Sequence, residues 1–145
     1  MVAREDLVVR IPEAIYTGMV THVVEGYPDE ACGALGTKEG RVVKHYPTAN
    51  AAEHPDDFSI IDPQDLLHIY DDIDEYDGEM IYYHSHARSE AYPSPRDKEW
   101  AKRNKLSYII FSHQFYPEPP YARVFLIQED DEVVEGEIEI ASPKR

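Results

Sequence analysis

One cysteine among 145 residues leaves no partner for an internal disulfide, so a disulfide-stapled scaffold is excluded. Cys32 sits in an apolar stretch and reads as a small buried hydrophobe rather than a nucleophile or metal ligand. Long apolar runs are also missing, since no segment approaches the roughly 20 apolar residues of a membrane span. The first ten residues include Glu5 and Asp6 and hold no sustained apolar stretch, so no secretory signal is expected. These absences predict a cytoplasmic chain with no membrane partner. Basic residues are scarce, 14 Lys and Arg against 29 Asp and Glu, for a net charge of −15. Phosphate backbones are held by clustered Lys and Arg, so nucleic acid is excluded as a partner. The acids concentrate at 71–79 and 129–139 and read as solvated faces that favour solubility.

What is present fits a single α/β domain over 1–145, long enough to bury roughly two thirds of its unfolded surface around one core. There are no repeats and no interdomain linker. Ile15, Met19, Val20 and Val23 recur at helical spacing after Pro12, which predicts an amphipathic helix ending near Gly26. Strands are expected at 31–35 and 41–46, joined by a turn at 37–40, followed by a helix from Pro63 to about Tyr76. A strand at 80–86, a helix at 95–104, and strands at 107–113, 121–127 and 133–140 complete the expected order. The segment 114–120 holds three prolines and cannot pair continuously in a sheet.

The densest chemistry lies in MIYYHSHARSEAYPSPRD, where His84, His86, Ser94 and Asp97 form the pattern H-x-H-x7-S-x2-D. Residues two apart on a strand face the same side, so His84 and His86 converge while Ser85 points away. Ser94-Pro95 opens a helix, with serine as the N-cap and proline pre-organised for the first helical position. Asp97 then falls in the first turn, within reach of the strand's end. Two imidazoles and a carboxylate suit zinc and leave the fourth tetrahedral position open, the mark of a catalytic site. Asp62-Pro63-Gln64-Asp65 repeats the helix start with no histidines before it, so Ser-Pro-Arg-Asp by itself is only a cap. With the chain's own residue frequencies, the full pattern arises by accident about once in a thousand such sequences.

With these residues the chain resembles the JAMM, or MPN-plus, metalloproteases, whose signature is this pattern with an upstream glutamate. Tyr27 to Gly36 is similar to the family's P-x-E-x-C-G-x-L-x-G segment. The stretch from His84 to Ser94, with Glu90-Ala91-Tyr92-Pro93, resembles the bacterial CysO-cysteine peptidase subfamily in particular. The resemblance implies an MPN/JAB1-like, cytidine-deaminase-like fold, a central mixed β-sheet flanked by helices. It also implies one zinc ion per chain held by His84, His86 and Asp97, with Glu30 as general acid/base. One departure is Ala87, where many family members have proline after the second histidine, which bears on loop rigidity.

The implied chemistry is amide hydrolysis. Zinc lowers the pKa of its water toward neutrality, Glu30 takes the proton and later delivers it to the departing amine, and Ser94 donates to the oxyanion. The expected substrate is a small ubiquitin-like sulfur carrier protein with a C-terminal Gly-Gly. Release of cysteine from a carrier-cysteine adduct, as a step in cysteine biosynthesis, is the first expectation. Trimming of an extended carrier and desampylase- or deubiquitinase-like isopeptidase action are the alternatives. A non-catalytic MPN scaffold is the alternative of another class, and a zinc deaminase is excluded because its paired cysteine ligands cannot come from one cysteine. His22, His45, His54, His68 and His113 lack the spacing to join the site and read as surface or satisfied structural residues, and Trp100 reads as core. The oligomeric state is left open by the sequence.

Overall fold

The computed structural model describes residues 7–104 and 106–142. Glu5 and Asp6, which entered the reading of the N-terminus, lie outside the described residues. The chain runs β1 (Val8–Pro12), α1 (Glu13–Gly26), β2 (Cys32–Lys38), β3 (Arg41–Thr48), α2 (Pro63–Asp74), β4 (Glu79–His86), α3 (Pro95–Asn104), β5 (Tyr108–Ser112), β6 (Tyr121–Ile127), β7 (Val133–Glu135) and β8 (Glu137–Ala141). The eight strands form one mixed sheet in the order β7-β6-β5-β4-β2-β3-β1-β8. Parallel pairs join β4 to β5 and β1 to both β3 and β8, and the remaining pairs are antiparallel. The expected mixed sheet flanked by helices is therefore found. No helix among the described residues is long and apolar enough to cross a membrane.

The central position of β4 explains its composition. Every residue from Met80 to His86 is buried, and strands covered on both faces read as continuous apolar runs. Strand alternation then divides the faces. Ile81 and Tyr83 join Met19, Val23, Leu35 and Phe111 in the core beneath α1. On the other face, Tyr82 packs with Ala101, Tyr108 and Phe125, and Met80 packs with Ile69 and Ile73 of α2. His84 and His86 carry the α3-facing parity of Tyr82, where the apolar filling stops.

The β2–β3 hairpin closes more tightly than the expected four-residue turn. Lys38 pairs directly with Arg41, and Glu39 and Gly40 both have positive φ, 54° and 78°, as a type I′ turn requires. Two further elements differ from the sequence reading. The strand β1 had no expected counterpart. The expected last strand, 133–140, is divided at Gly136 between opposite ends of the sheet, with β7 on β6 and β8 on β1. Gly136 N donates to Val124 O at 3.0 Å and Glu137 N to Leu7 O at 2.8 Å, so the curled sheet meets itself there. A Cβ at Gly136 would lie 2.1 Å from Leu7 O, which leaves room for glycine alone.

Candidate metal centre and active site

His84 and His86 end β4, and α3 delivers Asp97 from its first turn. The local sequence fixes that turn: Asp97 N donates to Ser94 Oγ at 3.1 Å and Ser94 N donates to Asp97 Oδ2 at 2.9 Å. This reciprocal pair is a capping box with aspartate in the N3 place. By contrast, Asp62 caps α2 through its own side chain, accepting from Gln64 N and Asp65 N. The shared Pro-x-Asp start thus serves only as a helix cap at 62–65 and serves both cap and cluster at 94–97.

The three side chains meet in a buried triangle. His84 Nε2 lies 3.2 Å from His86 Nε2 and 3.3 Å from Asp97 Oδ1, and His86 Nε2 lies 3.0 Å from Asp97 Oδ2. Their exposures are 2%, 6% and 6%. His86 Nδ1 faces the carbonyl oxygen of Glu90 at 2.9 Å, so Nδ1 carries the proton and the neutral ring turns an Nε2 lone pair into the triangle. His84 is placed by packing, stacked on Tyr108 at 5.9 Å and tilted against Tyr82 at 5.7 Å. Bonds of 2.0–2.1 Å to a tetrahedral ion imply ligand–ligand edges of about 3.3–3.4 Å. The observed edges are close to that, and three converging acceptors, buried together, fit a divalent cation.

Electrostatics agree with that fit. Burial alone would raise the Asp97 carboxyl, but His84, His86 and the Ser94 amide hold it well below the usual carboxylate range. Burial alone would likewise lower His86, yet the Asp97 carboxylate beside it and the Glu90 carbonyl raise it. The negative charge of Asp97 is thus kept in place for a cation.

Glu30 immediately precedes β2. The register Cys32↔His84, continued past the Ala31–Ser85 pair, sets Glu30 across from His86 and on the same face. Its N–H donates to Pro55 O at 2.7 Å and its carbonyl accepts from Asn50 Nδ2 at 2.8 Å, so the 50–60 loop fixes its backbone. Burial pushes its carboxyl up to about 7, opposed by His84 and His86 and reinforced by Asp97 and Asp57. A carboxyl near neutrality beside a ligand cluster suits proton transfer in both directions. Ser94 accepts its capping bond through Oγ, which leaves its hydroxyl proton for another acceptor.

Glu30, His86, Ser94 and Asp97 line one cleft of ≈ 790 Å³. His54, read as a surface residue, is exposed and also lines this cleft, where the 50–60 loop folds over Glu30. His22 Nε2 donates to Cys32 O and Thr48 O, both at 3.0 Å, and His45 Nε2 bonds Tyr83 Oη at 2.7 Å. Both are structural, as expected. His113 is buried, with Nε2 3.4 Å from Val23 O. Trp100 is half-buried against Tyr82 at 4.5 Å, and Cys32 is fully buried. Asp57, Phe58, Arg88 and Arg96 line the cleft without having been anticipated. They come from loops and a helix start, where spacing carries no signal. The loop after Ala87 is braced without a proline at position 87: Ser112 Oγ donates to Ser89 O, and Ala91 N donates to Tyr121 Oη at 3.1 Å.

Residues 12–126 match a family model described as prokaryotic homologs of the JAB domain. The chain is 35% identical over 115 residues to the CysO-cysteine peptidase of Mycobacterium tuberculosis, covering 77% of this chain and 73% of that protein. It is 32% identical over 101 residues to the desampylase of Haloferax volcanii, covering 65% of this chain and 73% of that protein. A solution structure of a protein from Desulfitobacterium hafniense is similar, with a TM-score of 0.80, 30% identity and 94% coverage of both chains.

Proposed function

Because this chain belongs to the prokaryotic JAB-domain branch of the JAMM family and is a hydrolase of the JAMM type, we propose that it is a zinc-dependent peptidase acting on a ubiquitin-like carrier. The bond cut is the amide after the carrier's C-terminal Gly-Gly, and cysteine is the residue released from a carrier-cysteine adduct. The observation that carries this reading is the convergence of His84, His86 and Asp97, two of which, His86 and Asp97, line a cleft that Glu30 also lines. The name of the mycobacterial relative supports a carrier-cysteine substrate.

His84, His86 and Asp97 would hold the ion, one per chain. Bound there, zinc supplies Lewis acidity that activates water and polarises the amide carbonyl. Glu30 accepts the proton of the attacking water and passes it to the departing amine. The Ser94 hydroxyl donates to the carbonyl oxygen as charge develops there, an interaction whose loss costs on the order of 10²- to 10³-fold in rate. Asn50, Pro55 and the Ser85–Ala31 pair keep Glu30 in place.

A second reading is isopeptidase cleavage of a carrier joined to a lysine side chain, favoured by the desampylase relatives. A non-catalytic scaffold would have no use for the intact set Glu30, His84, His86, Ser94 and Asp97. Incubating the zinc-loaded protein with a carrier-cysteine adduct and with a carrier–lysine conjugate, then weighing the products, separates these readings. Loss of one cysteine residue supports the first, release of intact carrier from lysine alone supports the second, and no mass change with either overturns both.

A further inference from the structure

The cleft in front of the ligand cluster is lined by charges of both signs: Glu30, Asp56 and Asp57, together with Arg88, two residues past His86, and Arg96, one residue before Asp97. Two arginines in one cleft are notable in a chain whose acids outnumber its bases 29 to 14. Arg10, Lys44, Lys102, Arg103 and Arg123 all pair with carboxylates. Among the described residues, neither Arg88 nor Arg96 has such a partner, although two aspartates line the same cavity. Instead the Arg96 guanidinium lies 3.7 Å from the centre of the Phe58 ring. Stacking of that kind orients the planar fork while leaving its charge available.

Two guanidiniums without carboxylate partners, lining the cleft of an amide-cleaving site, suit an anion of planar geometry. We propose that Arg88 and Arg96 bind the free α-carboxylate of the residue being released, so that the site is built for exopeptidase removal of a single C-terminal residue. The proposal rests on the amide hydrolysis set out above. Hydrolysis breaks the carbon–nitrogen bond, adds the hydroxyl of water to the carrier's terminal glycine carbonyl, and adds a proton to the departing amine. The product is then a zwitterionic amino acid, whose ammonium suits the carboxylates of the same cleft while its carboxylate stays on the arginines. A lysine side chain as leaving group brings no carboxylate to this place, because that residue's own carboxyl is tied into its protein. The two arginines therefore discriminate between the two substrate classes, through the bidentate pairing that guanidinium makes with carboxylate.

The test compares a ubiquitin-like carrier ending in Gly-Gly-Cys, prepared once as the free acid and once as the carboxamide. The wild-type, zinc-loaded protein is expected to favour the acid by about 10- to 100-fold in kcat/KM, the scale of a charge-assisted contact. In Arg88→Gln, Arg96→Gln and the double variant, the acid/amide ratio should fall toward one. Because the ratio is taken within one preparation, partial misfolding cancels. Binding of the same two substrates to Glu30→Gln, measured by calorimetry, provides a readout independent of turnover and should show the same preference. Equal hydrolysis of acid and carboxamide, or a preference that survives in the double variant, overturns the carboxylate site and leaves the peptidase reading standing. Hydrolysis of neither substrate overturns both.

Discussion

Ser85 and Ala31 hold each other twice. Ser85 Oγ accepts the Ala31 N–H at 2.8 Å, and Ser85 N donates to Ala31 O at 3.0 Å. Ser85 lies between the two histidines on β4 and Ala31 follows Glu30, so the pair clamps the strand of the metal ligands to the residue proposed for proton transfer. The side chain that strand alternation turns away from the metal is thus the one that secures Glu30.

Replacing Ser85 by alanine should separate these two functions. The substitution leaves the buried Ala31 N–H without its partner, at a cost of about 1–3 kcal/mol, read from the urea midpoint. Zinc content after dialysis is expected to stay at the wild-type level while kcat falls. Loss of zinc together with activity would show that Ser85 supports the ligands instead.

Asp97 has two roles, and two substitutions distinguish them. Asp97→Asn keeps an acceptor for the Ser94 amide but removes the anionic ligand, so α3 should stay capped while zinc affinity falls more than about 100-fold, beyond the range of outer-shell changes. Asp97→Ala should lose the same affinity and also about 1 kcal/mol of stability from the broken cap. Metal analysis after dialysis against a weak chelator, alongside thermal melts, measures both; unchanged zinc in either variant removes Asp97 from the ligand set.

For Glu30→Gln the expectation is a kcat lower by about 10²- to 10⁴-fold with zinc retained. The same substitution should stabilise the metal-free protein above neutrality. The folded carboxyl titrates at about 7 against 4.5 as its ordinary value, so the folded state holds more protons between those pH values. Its contribution to stability is complete below about 4.5 and lost as pH rises through 7. Glutamine does not ionise, so the variant should match the wild type at low pH and exceed it by on the order of 1–2 kcal/mol at pH 8, allowing for partial solvent screening. Denaturant titrations at both pH values check the sign.

His45 shifts in the other direction. Burial, with His22 adding to it, lowers its pKa to about 4, so below about 6.5 the unfolded chain takes up a proton that the folded protein refuses. Stability attached to His45 is therefore present above 6.5 and is lost as pH falls toward 4. His45→Gln should reduce the acid sensitivity across that window by up to about one proton, less with solvent screening. It also gives up the imidazole bond to Tyr83 Oη. An unchanged slope of stability against pH would overturn the assignment.

Local sequence was enough for α1, α2, α3, β4, β5 and β6, because periodicity, caps and apolar runs act over a few neighbouring residues. It was also enough to single out the candidate cluster, since a strand and the capped helix after it bring His84, His86 and Asp97 together through local geometry. Two features depended on distant pairing. Gly136 divides what reads as one strand because Val124 and Leu7 claim its two sides, and β1 acquires its place only between β3 and β8.

The site divides along the same line. The pattern of residues 84–97 fixed which atoms can hold a metal, because side-chain direction on a strand and at a helix N-terminus follows from backbone geometry alone. Tertiary structure decided the rest of the cleft, setting Glu30 across from His86 and bringing Asp57, Arg88 and Arg96 around them. Sheet register and loop closure join residues far apart in the chain, and the energies that select those contacts are not written in the spacing of any one segment.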